Sequence, residues 1–258
     1  MTVFRIDLAY HGAGFSGWAE QPGRRTVEGE MRDALNTVLG ERLPLAVAGR
    51  TDAGVHALAQ VASFISETPR SGRELRQALN GLTSGEISVR SVQRAGDGFD
   101  ARRDARSRTY CYRLLASAVP NPFERGLSLW WPHRFDPEAL SACGKALAGN
   151  HDFRAFTPTR TAHSRFERTI LKAAWRFPPE VSGSPDGQPE GICEFWIEAP
   201  AFMRGMVRAL VGTMLEVGGG RRTLDDFLGL LEGESRQAAG DSARAHGLYL
   251  ANVSYSRS

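Results

Sequence analysis

Near its start the chain alternates: Phe4, Ile6 and Leu8 share one face of a run that predicts a strand over 2–10. A glycine-rich loop follows, Gly12-Ala13-Gly14-Phe15-Ser16-Gly17-Trp18. Thr26 then opens a helix. Val27, Met31, Leu35 and Val38 recur at helical spacing, and Glu28 and Glu30 place negative charge at its positive end. Two apolar runs of strand length come next, 43–48 and 57–65. A short helix from Ser71 to Asn80 carries Leu75 and Leu79, and Ile87 to Val92 forms a further strand. The order β-α-β-β-α-β predicts a ferredoxin-like arrangement.

The second half repeats that order loosely, without any repeat of sequence. Arg108 to Ala116 alternates through Tyr110, Tyr112 and Leu114 as a strand, and Pro137 to Ala148 forms a helix. Strands are expected at 168–177 and 191–199, a helix through 202–217, a short helix near 223–232 and a last strand at 247–255. Pro178 to Gly191, rich in Pro, Gly, Ser and Asp, is expected to be a mobile hairpin loop. The expected fold class is α+β: two ferredoxin-like (RNP-like) halves, 1–105 and 106–258, with joined antiparallel sheets and an active-site cleft at their junction.

Composition narrows the class. A chain of 258 residues with 41% hydrophobic and 24% charged residues can bury a sizeable core as a soluble globular protein. No apolar run is long enough to span a bilayer, and Met1-Thr2-Val3-Phe4-Arg5 lacks a signal-peptide layout, so a cytoplasmic protein with no membrane partner is expected. Cys111, Cys143 and Cys193 are far apart and odd in number, which argues against a disulfide framework and a zinc site. The net charge is only +3, yet all but two of the 32 basic residues (Lys145 and Lys172) are arginine. They cluster: Arg102, Arg103, Arg106, Arg108 and Arg113 in one stretch, and Arg154, Arg160, Arg165 and Arg168 in another. A GC-rich genome also swaps lysine for arginine, but clusters of this kind suit a nucleic-acid backbone.

Gly49-Arg50-Thr51-Asp52-Ala53-Gly54-Val55-His56 lies between the two apolar runs and holds the residue types that turn a chain and expose side chains. An ionised carboxylate beside an arginine can serve as nucleophile or general base. The same residues also make an ordinary tight turn in which Asp52 caps its own backbone. In Phe99-Asp100-Ala101-Arg102 through Ser107-Arg108-Thr109-Tyr110-Cys111-Tyr112, an aromatic at the start of a strand follows four arginines. That suits stacking on an extruded base with phosphates held nearby, and equally suits an edge strand with a solvated basic face. Phe202, Met206, Leu210 and Met214 form a core stripe at i, i+4 spacing, with Arg208 off it.

Gly-Arg-Thr-Asp-Ala-Gly-Val-His resembles the signature loop of the tRNA pseudouridine synthase A family, in which the aspartate is catalytic. The Tyr-x-Tyr pattern at Tyr110, Phe202-x-x-x-Met206-Val207-Arg208, His151-Asp152-Phe153, Arg168-Thr169-Ile170 and Gly247-Leu248-Tyr249-Leu250 are similar to further family segments, in the same order. The resemblance implies that Asp52 is catalytic, that Arg208 pairs with it, and that Tyr110 lines the site against the target base with Tyr112 in support. It also implies that Leu250 packs against that base and that Arg50 enters the space of a flipped nucleotide, with Arg102 among the substrate-binding arginines. His151 is expected to be structural. The implied reaction converts uridine to pseudouridine at positions 38–40 of the tRNA anticodon stem-loop, by a homodimer gripping one tRNA. It calls for no cofactor and no metal, in keeping with a chain that shows no dinucleotide fingerprint, P-loop or metal-ligand cluster. Ala19, Gly205, Ala209 and Ala243-Arg244-Ala245-His246 depart from the family pattern and bear on substrate contacts.

Three alternatives stay open on sequence alone. A non-catalytic RNA-binding module does not need Asp52 and Arg208 together. A glycosidase-like hydrolase needs a second acid near Asp52. The third keeps the chemistry on another RNA or a free nucleotide, and binding that falls steeply with salt would exclude the free nucleotide.

Overall fold

In the computed structural model, residues 1–159, 164–178 and 190–255 are described. The expected loop at 178–191, like Arg160, lies for the most part outside them. The chain falls into two compact units, Met1–Arg108 with Tyr249–Ser258, and Thr109–Leu248.

The first unit begins with β1 (Thr2–Tyr10) and α1 (Val27–Leu39), then β2 (Ala46–Val47) and β3 (His56–Ser66), and continues with α2 (Gly72–Leu82) and β4 (Ile87–Arg94). The expected β-α-β-β-α-β order is present. Both helices start where side chains satisfy the first backbone N–H groups. The Thr26 hydroxyl accepts from Gly29, and Ser71 with Glu74 forms a capping box at α2. Strand β1 pairs antiparallel with β3 and β4, and β2 pairs antiparallel with β3. The run at 43–48 pairs only at Ala46 and Val47, because Pro44 has no N–H to give to a ladder. The last strand of the chain, β11 (Leu248–Tyr255), returns to lie parallel to the start of β3, with Tyr249 opposite His56 and Leu250 opposite Ala57. Phe4, Ile6 and Leu8 are buried with Met31, Leu35, Leu75 and Leu79. Each such side chain contributes about 1.5–3 kcal/mol on leaving water.

The second unit contains most of β5 (Ala105–Ala116), then β6 (Leu129–Trp131), α3 (Pro137–Ala146) and β7 (Gly149–Asp152). After β8 (Glu167–Ile170) and β9 (Lys172–Arg176) it continues through β10 (Gly191–Ala199), α4 (Met206–Gly218) and α5 (Leu224–Gly229). The single strand expected at 168–177 is two. It breaks at Leu171, whose N–H goes to the Glu198 carbonyl, and there the chain changes partners, from β7 on one side to β10 on the other. Helix α4 starts four residues later than the apolar stripe predicts. Gly205, at φ +70°, turns the chain just ahead of it, so Phe202 is not a helical residue. Among the described residues no helix is long and apolar enough to cross a membrane.

All three thiols are free and buried. Burial pushes Cys111, Cys143 and Cys193 each up to about 12 from an ordinary value of 9, and pushes the Tyr10 phenol up to about 12 as well. Folded-state values above unfolded ones favour the native state below the unfolded value, and that contribution is lost as pH rises toward the folded one. The midpoint of urea unfolding should therefore fall steadily between pH 9 and about 12. A flat midpoint across that window would contradict the burial of these groups.

Candidate active site

In the first unit, the loop between β2 and β3 is held by polar groups from β1, β3 and the glycine-rich segment. The buried Gln60 side chain donates to the Gly49 carbonyl (2.7 Å) and accepts weakly from its N–H (3.4 Å). It also donates to the Tyr10 hydroxyl (3.2 Å), which shares a 2.7 Å hydrogen bond with the buried Thr51 hydroxyl. The Thr51 carbonyl accepts from Trp18 N–H (3.0 Å), and Gly54 N–H donates to Phe15 (3.3 Å). A turn closed by Val55 N–H on the Asp52 carbonyl (3.1 Å) carries Gly54 at φ +78°, a conformation glycine adopts without strain. Asp52, at the crest of this turn, is half-buried, and Arg50 is exposed. The loop's backbone is thus fixed at its flanks while its two charged side chains keep access to solvent. Beyond it the buried His56 accepts from Gly12 N–H (3.1 Å) and stacks on Tyr249 (4.6 Å between centroids).

Arg108 has a role that its place in an arginine cluster does not suggest. Its Nε donates to the Ala48 carbonyl (2.8 Å), and its Nη groups donate to Ala105 (3.0 Å) and Arg102 (2.8 Å). It staples the Arg102 segment to the base of the signature loop. Arg113 is likewise engaged, with Glu124 at 3.2 Å and the Leu127 carbonyl at 3.4 Å. Arg102 and Arg106 remain exposed. Leu250 is fully buried beside Ala57, one strand from the loop.

The second unit carries Tyr110 and Arg208. Tyr110, buried on β5, meets the Phe202 ring edge-to-face at 5.1 Å and 87°. Sequence periodicity assigns Phe202 to a helical core stripe; instead it is the aromatic neighbour of Tyr110. Arg208 is half-buried on α4, and its Nε donates to the Ala243 carbonyl (2.7 Å). Ala243 N–H donates back to the Arg208 carbonyl (2.9 Å), so the 243 segment grips this residue twice. Tyr112 is buried with its hydroxyl on the Arg244 carbonyl (2.8 Å). Desolvation raises its phenol above the ordinary value, against the opposing charges of Arg208 and Arg244. His246, a departure from the family pattern, is depressed by burial and then by Arg244 and Arg208. His151 sits on β7 with Nε2 3.2 Å from the Ala148 carbonyl. Among the described residues no three His, Cys, Asp or Glu side chains gather as a metal site.

Motif matching singles out Asp52, Arg50, Tyr110 and Arg208 as candidates. It does not point to Tyr10, Gln60 and Arg108, which with Thr51 hold the loop. Gln60 sits inside an apolar strand run, and a buried polar residue there is the one signal that points to a fixed network.

A sequence profile described as tRNA pseudouridine synthase matches residues 8–103 and 144–256. A protein of Frankia casuarinae named tRNA pseudouridine synthase A is 41% identical over 261 aligned residues, covering 99% of this chain and 90% of that one. The protein of the same name from Geobacillus kaustophilus is 37% identical, covering 96% and 92%. That of Bacillus subtilis is 34% identical, covering 97% and 98%.

Proposed function

The chain belongs to the tRNA pseudouridine synthase family, and on that premise we propose that it isomerises uridine to pseudouridine in the anticodon stem-loop of tRNA, at positions 38–40, with Asp52 as the catalytic carboxylate. The N-glycosidic bond breaks, the uracil turns within the site, and its C5 bonds to C1′ of the same ribose. Nothing is oxidised or reduced, and the proton lost from C5 balances the one gained at N1. The reaction asks for an ionised carboxylate, a cation to keep it so, an aromatic wall and a cavity that retains the freed base. Asp52 is the carboxylate, Arg208 the cation and Tyr110 the wall. Arg50 takes the space of the flipped nucleotide, Arg102 contacts the backbone, and the covered Leu250 supports the base from behind. Unstacking a nucleotide costs a few kcal/mol and least in a loop or at a stem end, which favours the anticodon stem-loop as the target. A homodimer on one tRNA, in the cytoplasm, completes the reading.

The observation that carries it is the signature loop: a half-buried aspartate on backbone fastened at Gly49, Thr51 and Gly54. A charge held in place before substrate arrives needs no reorganisation during reaction. The test is a pseudouridine map, by carbodiimide labelling and primer extension, of unmodified tRNA transcripts incubated with the native chain. New stops confined to the anticodon stem-loop are expected. Their absence on tRNA that the protein binds would leave an RNA-binding module or a different substrate.

A further inference from the structure

We propose that a hollow between β7, β8 and the Pro200–Ala201 turn in the second unit binds a backbone phosphate of RNA through Arg165 and Arg168. The hollow is open and about 440 Å³, roomier than one phosphate group, and is lined by Asn150, Arg165, Glu167, Arg168, Thr169 and the Pro200–Ala201 backbone. It shares no residue with the machinery assigned above. The proposal rests on the tRNA reading only for the identity of the polyanion.

Several half-buried arginines of this chain are balanced by a carboxylate: Arg5 has Asp7, Arg32 has Glu20, and Arg222 has Glu216. In the second basic cluster Arg154 is also paired, with Asp152 at 3.3 Å, and lies over the Phe166 ring at 5.0 Å. In the same cluster neither Arg165 nor Arg168 is ion-paired with a described carboxylate, and Arg168 is the arginine with a buried, unsatisfied N–H among the described residues. Arg168 is half-buried, and its Nη1 is turned back onto the Arg165 (3.1 Å) and Glu167 (2.7 Å) carbonyls. Its Nε is buried with no hydrogen-bond partner among the described residues. An unsatisfied buried N–H on a cation is costly, and a second cation beside it adds repulsion. The guanidinium accordingly holds its proton less tightly than usual, through desolvation first and Arg165 second.

An anion in the hollow offsets the cost of holding two cations side by side. Its oxygens accept from the arginines and neutralise their repulsion, in the planar geometry at which guanidinium excels. The neutral lining adds to this. Thr169 donates its hydroxyl to the Asn150 carbonyl oxygen (3.3 Å), which leaves the Asn150 amide N–H groups as donors. Asn150 and Thr169 are held opposite each other by the β7–β8 register, so this part of the wall exists before any ligand arrives. Glu167 at the rim works against a free, highly charged anion. It is tolerable for a phosphodiester, with one negative charge and a strand that passes over the rim.

The experiment measures the affinity of the full native chain for a tRNA transcript across a salt series, beside Arg165→Ala, Arg168→Ala and Arg168→Lys. Each alanine variant should weaken binding roughly tenfold at low salt. Each should also flatten the log–log salt dependence by about 0.7–0.9, the value of one phosphate contact. Arg168→Lys should keep the slope. Arg165 is exposed and uses only its carbonyl in the fold, so Arg165→Ala stays folded and decides the matter. Native affinity and slope in that variant would overturn the proposal. Inorganic phosphate that displaces tRNA from the native chain at low millimolar concentration, equally in Arg165→Ala, would also overturn it by placing the anion site elsewhere. If slopes fall as expected but no pseudouridine forms on tRNA, the hollow stands and the proposed reaction falls.

Discussion

Asp52→Asn should slow pseudouridine formation by at least ~10³–10⁴-fold in single-turnover assays on a tRNA transcript, with tRNA affinity and unfolding midpoint near those of the native chain. The substitution keeps the shape of the side chain and removes its charge and basicity. The loop around it is fastened through other groups: Gly49 by Gln60, Thr51 by Tyr10 and Trp18, and Gly54 by Phe15. A large loss of rate without a loss of fold is therefore the signature of a chemical role. Residual turnover within tenfold of native would show that another group does the chemistry and that the loop merely turns the chain.

Gly17→Ala should damage both stability and rate, though the residue touches no substrate. Gly17 has φ +99°, which costs an alanine about 1–3 kcal/mol, and a Cβ built there meets the Thr51 carbonyl oxygen at 2.7 Å. That oxygen already accepts from Trp18 N–H, so it cannot move away without breaking a hydrogen bond. Together the two effects should cost about 2–4 kcal/mol, a fall in melting temperature of roughly 4–15 °C for a chain of this size. Because the displaced group is the residue before Asp52, a shift of about 1 Å at the carboxylate should lower the rate by roughly a further 10²-fold. Calorimetry and single-turnover rates check the pair of effects. A variant with native melting temperature and native rate would mean the Gly17–Thr51 contact is not a constraint on the site.

The elements that declared themselves in the sequence did so through long, regular signals. Strand β1 alternates cleanly, α1 has a threonine cap and a 3.6-residue stripe, and α2 has its Ser71–Glu74 box. What stayed hidden was short or depended on distant partners. Strand β7, Gly149-Asn150-His151-Asp152, has no alternation and no β-branched residue, and exists because β8 is there to pair with it. Strand β6 is three residues long. The break at Leu171 sits within an apolar pattern that continues on both sides, since what changes there is the pairing partner and not the polarity. At the site, local spacing marks the charged residues of a loop. The groups that aim them come from elsewhere: Tyr10 and Gln60 lie on separate strands, and Arg108 reaches back to Ala48. Nothing in a linear motif encodes such a meeting. Arg108 and Arg113 add a structural part that the cluster does not announce, in bonds to backbone carbonyls and to Glu124.

The late return of β11 to the side of β3 has a consequence for biosynthesis. The strand that begins at His56 acquires its parallel neighbour, and the Tyr249 ring that covers His56, from a stretch far downstream in the chain. At a synthesis rate of ~5–20 residues per second, the nascent loop ahead of β3 waits roughly 10–40 s on the ribosome before that edge is closed. During the wait the flank of β3 is an open template for a stray strand, the kind of edge that chaperones shield.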